Sequence, residues 1–117
     1  MRIEDTIVPK ILLVGTVETD IRKLTPRLEL HGYSITEWTD RFDSLAQFAK
    51  RFADFDVVLV DISRDRREDW GILDALCALR IGAPMQPSII CASRTYRGPR
   101  MRMEVERRGA RLVIYGR

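Results

Sequence analysis

The six residues Asp56-Val57-Val58-Leu59-Val60-Asp61 constrain this chain more than any other stretch. Four successive apolar residues, three of them β-branched, form a run that suits a strand buried on both faces of a parallel sheet. The run ends at Asp61, a carboxylate expected to lie just outside the apolar layer. In open α/β sheets ligands bind and chemistry occurs beyond the carboxyl ends of the strands, so Asp61 is the first residue to examine for function.

The rest of the chain repeats this pattern of short apolar runs between helical periodicities. Lys10–Val14 reads as a strand bounded by Pro9 and Gly15. Ile21, Leu24, Leu28 and Leu30 then mark a helix that ends at His31-Gly32, and Pro26 requires that helix either to begin near Leu24-Thr25 or to kink. Tyr33–Trp38 alternates like a strand exposed on one side, and Asp43-Ser44 opens a helix carrying Leu45, Phe48, Ala49 and Phe52. After Asp61, Ser63–Asp69 reads as a charged loop before a helix marked by Ile72, Leu73, Leu76 and Leu79, which stops at Gly82-Ala83-Pro84. Ser88–Ala92 is a fourth strand, Pro99 starts a helix that ends at Gly109-Ala110, and Arg111–Tyr115 is a fifth strand. Such alternation predicts a parallel sheet with right-handed crossovers and helices on both faces, in one domain over residues 1–117.

Composition narrows the functional classes. At 117 residues, 45% hydrophobic and 32% charged, the chain is of ordinary globular composition, and no apolar run approaches the roughly 18 residues that would suggest a membrane span. An acidic N-terminus without an apolar signal core gives a cytoplasmic expectation and no membrane partner. His31 is the sole histidine, which excludes a His-based acid/base pair; Cys77 and Cys91 lack zinc-site spacing and read as buried free thiols. The loop from Gly15 to Asp20 has one glycine and two acids, a poor cradle for a nucleotide or flavin phosphate.

Charge is unevenly distributed. Residues 1–93 hold 12 Lys+Arg against 15 Asp+Glu, net −3, whereas residues 94–117 hold 8 Arg against 2 Glu, net +6. Arg94, Arg97, Arg100 and Arg102 surround the start of the last predicted helix, where they oppose the helix dipole and, with it, favour an anion. Tyr96 adds a stacking surface; Arg107, Arg108 and Arg111 lie at the other end, where the dipole favours them and Glu104 can pair with Arg108. With no helix-turn-helix or heptad pattern, an acidic protein surface suits this patch better than nucleic acid.

In order and spacing these landmarks resemble the receiver domain of bacterial response regulators. Val14 through Leu24 and Leu28 to Gly32-Tyr33, the Asp56–Asp61 stretch, Pro87-Ser88-Ile89-Ile90 and Gly109-Ala110 together carry the resemblance across nearly the whole chain. It implies a flavodoxin-like, receiver-like three-layer sandwich with a five-stranded parallel sheet in the order 2-1-3-4-5, and it makes Asp61 the phosphoacceptor equivalent. The family's final helix, after the fifth strand, has no counterpart before Arg117, so one sheet face is expected to be partly bare and to serve as an interface in a homodimer or with a protein partner.

The departures fall on the chemistry. The family's Mg²⁺-binding acids correspond to Gly15 and Thr16, leaving Glu18 and Asp20 as weak substitute metal ligands. Its Ser or Thr after the fourth strand falls on Ala92, with Ser93 one place late; its Lys falls on Gly116, next to Arg117; and its Met-Pro gives way to Ser63–Asp69. Such a site is expected to lack ordinary Mg²⁺-dependent phosphotransfer. The expectation is therefore a non-catalytic, receiver-like regulatory module without a cofactor, acting on a signalling or transcription partner. Its alternatives are a phosphorylatable receiver using Asp61 with Mg²⁺, and a nucleic-acid-binding accessory protein using Arg94–Arg102.

Overall fold

In the structure, a computed structural model, residues 8–15, 21–38, 52–63, 66–80 and 87–115 are described. The four apolar runs and the alternating stretch all form strands: β1 (Lys10–Val14), β2 (Ser34–Trp38), β3 (Val57–Asp61), β4 (Ser88–Ser93) and β5 (Arg111–Ile114). All pairings are parallel, and the strand order is β2-β1-β3-β4-β5. This is the order that the sequence resemblance implies.

Strand parity sorts the core into two layers. On one face, Leu12, Val14, Val58, Val60, Ile89, Cys91 and Leu112 pack with Phe52 and Phe55 and with two helices, α2 (Arg67–Arg80) and α3 (Pro99–Arg107), which contribute Leu73, Leu76, Met101 and Val105. On the other, Ile11, Leu13 and Ala92 pack with Ile21, Leu24 and Leu28 from a 3-10 turn (Ile21–Leu24) and the short helix α1 (Thr25–Leu30). The result is three layers, helix, sheet and helix. Leu12, Val58 and Val105 have no exposed surface, and each such side chain is worth about 1.5–3 kcal/mol of burial.

Two proline positions and two glycines define helix ends. The α-helix starts at Thr25, putting Pro26 in its first turn, where a missing N–H costs nothing; the helix therefore begins late and has no interior kink. Pro99 likewise opens α3. Gly32 and Gly109 take positive φ, 91° and 86°, just after α1 and α3, so that Tyr33 and Ala110 donate back to Leu28 and Val105 as the chain turns into the next strand. His31 sits at the end of α1 with Nδ1 2.8 Å from the Arg27 carbonyl, a capping role.

The expected loop Ser63–Asp69 is shorter than the sequence suggests. Arg67, Glu68 and Asp69 are already the first turn of α2, where the helix dipole favours the two acids, and Asp69 is buried. Of the expected helix from Asp43 to Phe52 only Phe52 is among the described residues, where it opens a 3-10 turn (Phe52–Asp54), and the helix stop at Gly82-Ala83-Pro84 lies outside them. Cys77 is half-buried and Cys91 buried, both as free thiols; desolvation chiefly, with Cys77 adding and Arg108 opposing, pushes the Cys91 thiol up to about 12. Among the described residues, no helix is long and apolar enough to cross a membrane.

Candidate functional site

Asp61 is the last residue of β3, in the middle of the sheet and beside the point where the strand order reverses. Its side chain is only 2% exposed, contrary to the expectation that it would stand clear of the apolar layer. The reason lies in the sheet register. Asp61 is level with Ala92 of β4, Ala92 is level with Val113 of β5, and Tyr115, two residues further along, is on the same face. Ala92 presents only a methyl group, so the Tyr115 ring can cross β4, pack on the cluster containing Ala92 and reach the acid.

Both carboxylate oxygens of Asp61 are thereby engaged by the chain itself. Tyr115 donates its phenolic O–H to Oδ2 at 2.6 Å, and the Ser63 backbone N–H donates to Oδ1 at 2.8 Å. A short O–H···O⁻ bond of this kind is among the stronger hydrogen bonds in proteins. Each donor takes one of the two lone pairs on its oxygen, and what keeps the remaining pairs from a nucleophilic or metal-binding role is burial, since Asp61 is almost fully enclosed.

Ser63 in turn ties this turn to the basic loop. The Arg94 N–H donates to Ser63 Oγ at 2.9 Å, and the Arg97 guanidinium donates to the Ser63 carbonyl. Ser93, next to Ala92 in sequence, is fully buried and turned into its own loop, donating to the Thr95 carbonyl at 2.8 Å and accepting from the Thr95 N–H at 3.2 Å. β4 stays regular through Ser93, which pairs with Ile114, so no bulge rotates that hydroxyl toward Asp61.

The described residues do not fit a Mg²⁺ site. Gly15, at the end of β1, is buried and spends its N–H on the Trp38 carbonyl, and it carries no oxygen-bearing side chain. Among the described residues, no three His, Cys, Asp or Glu side chains gather as a metal site would require. Thr16, Glu18, Asp20, Gly116 and Arg117 lie outside the described residues.

The four arginines do not converge on Asp61 but line the loop and the start of α3. Arg97 is held by Ser63 and by Met101 Sδ at 3.9 Å; Arg102 lies 5.8 Å from the Tyr96 ring centre and 3.8 Å from Glu106; Arg94 and Arg100 are exposed. At the other end of α3, Arg108 bonds Asp74 at 2.5 Å and Glu104 at 3.0 Å, and stacks over Trp70 at 5.0 Å. The Asp74 bond chiefly raises the Arg108 pKa, and the Arg108 and Arg107 bonds lower that of Glu104. An open groove of about 260 Å³ separates Trp70 of α2 from Arg97, Arg100, Met101 and Glu104. The arginines are legible in the sequence as a charge cluster, whereas Tyr115 and Trp70 carry no local signal of a place in a site.

A parallel sheet in the order 2-1-3-4-5, with helices on both faces and an acid at the end of its third strand, is the fold of response-regulator receiver domains. Solved structures make the likeness specific. The chain is similar to a chain of the CheX–CheY–BeF3–Mg²⁺ complex from Borrelia burgdorferi, with TM-score 0.73, 15% identity and coverage of 97% of this chain and 84% of that one. It is also similar to the receiver domain of the histidine kinase CKI1 from Arabidopsis thaliana (TM-score 0.72, 13% identity, 91% and 80% covered) and to the chemotaxis protein CheY4 from Vibrio cholerae (TM-score 0.67, 20% identity, 92% and 87% covered). At these identities the likeness is one of fold. No protein-family model and no curated protein matches the sequence.

Proposed function

We propose that this chain is a receiver-like regulatory module that works by binding a protein partner and does not carry out Mg²⁺-dependent phosphotransfer. The observation that carries the reading is that Asp61 is buried and that the donors on its two oxygens, Tyr115 O–H and Ser63 N–H, are both neutral. Phosphoryl transfer depends on positive charge to stabilise the incoming group. A neutral phenol and a backbone amide supply hydrogen bonds but no full charge. On this reading Asp61 is a structural carboxylate that ties β3 to the end of β5, and the surface that the chain offers to partners is its arginine-rich loop and helix α3. A two-component signalling or transcription pathway is the setting that the receiver fold favours.

Incubation with Mg²⁺ and acetyl phosphate, followed by intact-mass spectrometry, tests this. The expected spectrum is that of the unmodified chain. A phosphoryl adduct that is labile to hydroxylamine and absent in Asp61→Asn would overturn the reading in favour of a phosphorylatable receiver.

A further inference from the structure

The groove between α2 and α3 belongs to the sheet face opposite the one that Asp61 shares with Ala92 and Tyr115, and has its own chemistry. Its floor is apolar, with Trp70 and Met101, and its rim is basic, with Arg97 and Arg100. Glu104 is the one acid on the lining, and its charge is offset by Arg107 at 2.7 Å and Arg108 at 3.0 Å. Residues 94–108 hold six Arg against two Glu, net +4, and α2 holds two Arg against three acids, net −1, so the two walls together carry +3 and the field over the groove is positive. Arg100 is exposed and makes no ion pair among the described residues.

The groove is also pre-organised. Trp70 is held under the Arg108 guanidinium, which is itself fixed by Asp74 and Glu104, and Arg97 is fixed by Ser63 and Met101. Groups already ordered before binding lose less entropy when a ligand arrives. About 260 Å³ exceeds the roughly 150 Å³ cavity that holds a benzene ring, so one aromatic or branched side chain fits, leaving flanking residues at the rim.

We infer that this groove is the docking site for an acidic peptide segment of a protein partner, which inserts one large apolar side chain between Trp70 and Met101 while flanking carboxylates pair with Arg97 and Arg100. Charge complementarity selects this occupant: a basic segment would meet the arginines, and a purely apolar one would leave the exposed Arg100 without a counter-charge. The inference rests on the protein-binding reading above and adds to it the place and the partner's chemistry.

Selection of a random linear-peptide phage library on the full chain, followed by titration of the enriched peptide, tests it. Enriched sequences are expected to set several Asp or Glu around one aromatic or large aliphatic residue. The synthetic peptide is expected to shift the Trp70 indole N–H in NMR spectra and to bind roughly tenfold or more weakly to Arg97→Ala/Arg100→Ala, the loss expected for charge-assisted bonds. Because Arg97 also holds Ser63, Arg100→Glu provides a second variant at an exposed position and is expected to weaken binding similarly. Glu37→Gln, on the edge strand β2 at the opposite end of the strand order, is expected to bind the peptide unchanged.

Enrichment of peptides without acids, or no enrichment at all, would overturn the inference. Shifts confined to Leu59, Ile90 and Val113 would move the site to the sheet face, ending the groove proposal but preserving the protein-binding reading. Displacement of the peptide from Trp70 by random-sequence duplex DNA, with steep salt dependence, would reassign the groove to nucleic acid.

Discussion

Tyr115 decides how Asp61 should be understood. Its hydroxyl spans two strands to reach a carboxylate 54 residues away in sequence, and removing it leaves Oδ2 buried without that donor. Tyr115→Phe is expected to cost about 1–3 kcal/mol in urea denaturation. The costs of Tyr115→Phe and Asp61→Ala are expected to be non-additive by more than about 0.5 kcal/mol, since the two side chains share one bond. The cysteines offer a separate check: with its thiol pushed up to about 12 by burial, Cys91 is expected to resist iodoacetamide at pH 8 until the chain unfolds, while half-buried Cys77 reacts first. Asp61 was legible from its place after an apolar run. Tyr115 was not, because a tyrosine at a strand end reads as an ordinary amphipathic residue and its partner is set by register across β4, which no local pattern encodes.

Each element owes its position to a few polar ties as well as to its apolar stripe. Asp56 aligns the strand starts, accepting the Lys10 N–H on Oδ2 at 2.8 Å while its own N–H donates to the Lys10 carbonyl. Glu37 ties β2 to the 3-10 turn and α1, accepting from Thr25 Oγ1 at 2.6 Å and from Arg22 Nε at 3.1 Å. The Thr25 hydroxyl foremost, and then Arg22, hold the Glu37 carboxyl below the usual carboxylate range against the opposing effect of burial. A carboxylate with a lowered folded-state pKa contributes stability in full above its unfolded value, near pH 4.3, and loses it as pH falls through the lowered value. Glu37→Gln is therefore expected to flatten the acid limb of the stability curve below about pH 4.3, with at most about 1 kcal/mol at neutral pH because the pair is partly exposed. Of the elements, strands were the easier to read, since two-sided burial writes an unbroken apolar run. The start of α2 was harder: Arg67, Glu68 and Asp69 look like loop composition, and only the helix dipole explains why acids belong there.

At the scale of the whole molecule, the two sheet faces are unequally covered. The face under α2 and α3 is well buried, whereas on the α1 face Leu59 and Ile90 are half-buried and Val113 is 46% exposed. Parallel sheets are ordinarily covered on both sides. Self-association through this face is the proposal that follows, and sedimentation equilibrium is expected to show a concentration-dependent dimer that Val113→Asp weakens; a monomer at high micromolar concentration would contradict it. Strand order and layering were legible because hydrophobic periodicity and crossover handedness leave few topologies open, but the chemistry at the sheet's carboxyl end was legible only as a set of departures from the receiver pattern. Whether Asp61 can act as a phosphoacceptor is measured by titrating Mg²⁺ and beryllofluoride, an acyl-phosphate mimic, into the isotopically labelled chain, following the Asp61, Ser63 and Tyr115 resonances and the fluorescence of Trp38 and Trp70. No saturable change is expected, because Asp61 is buried and its two donors carry no positive charge; saturable shifts that vanish in Asp61→Asn would contradict this and make the chain a phosphorylation switch.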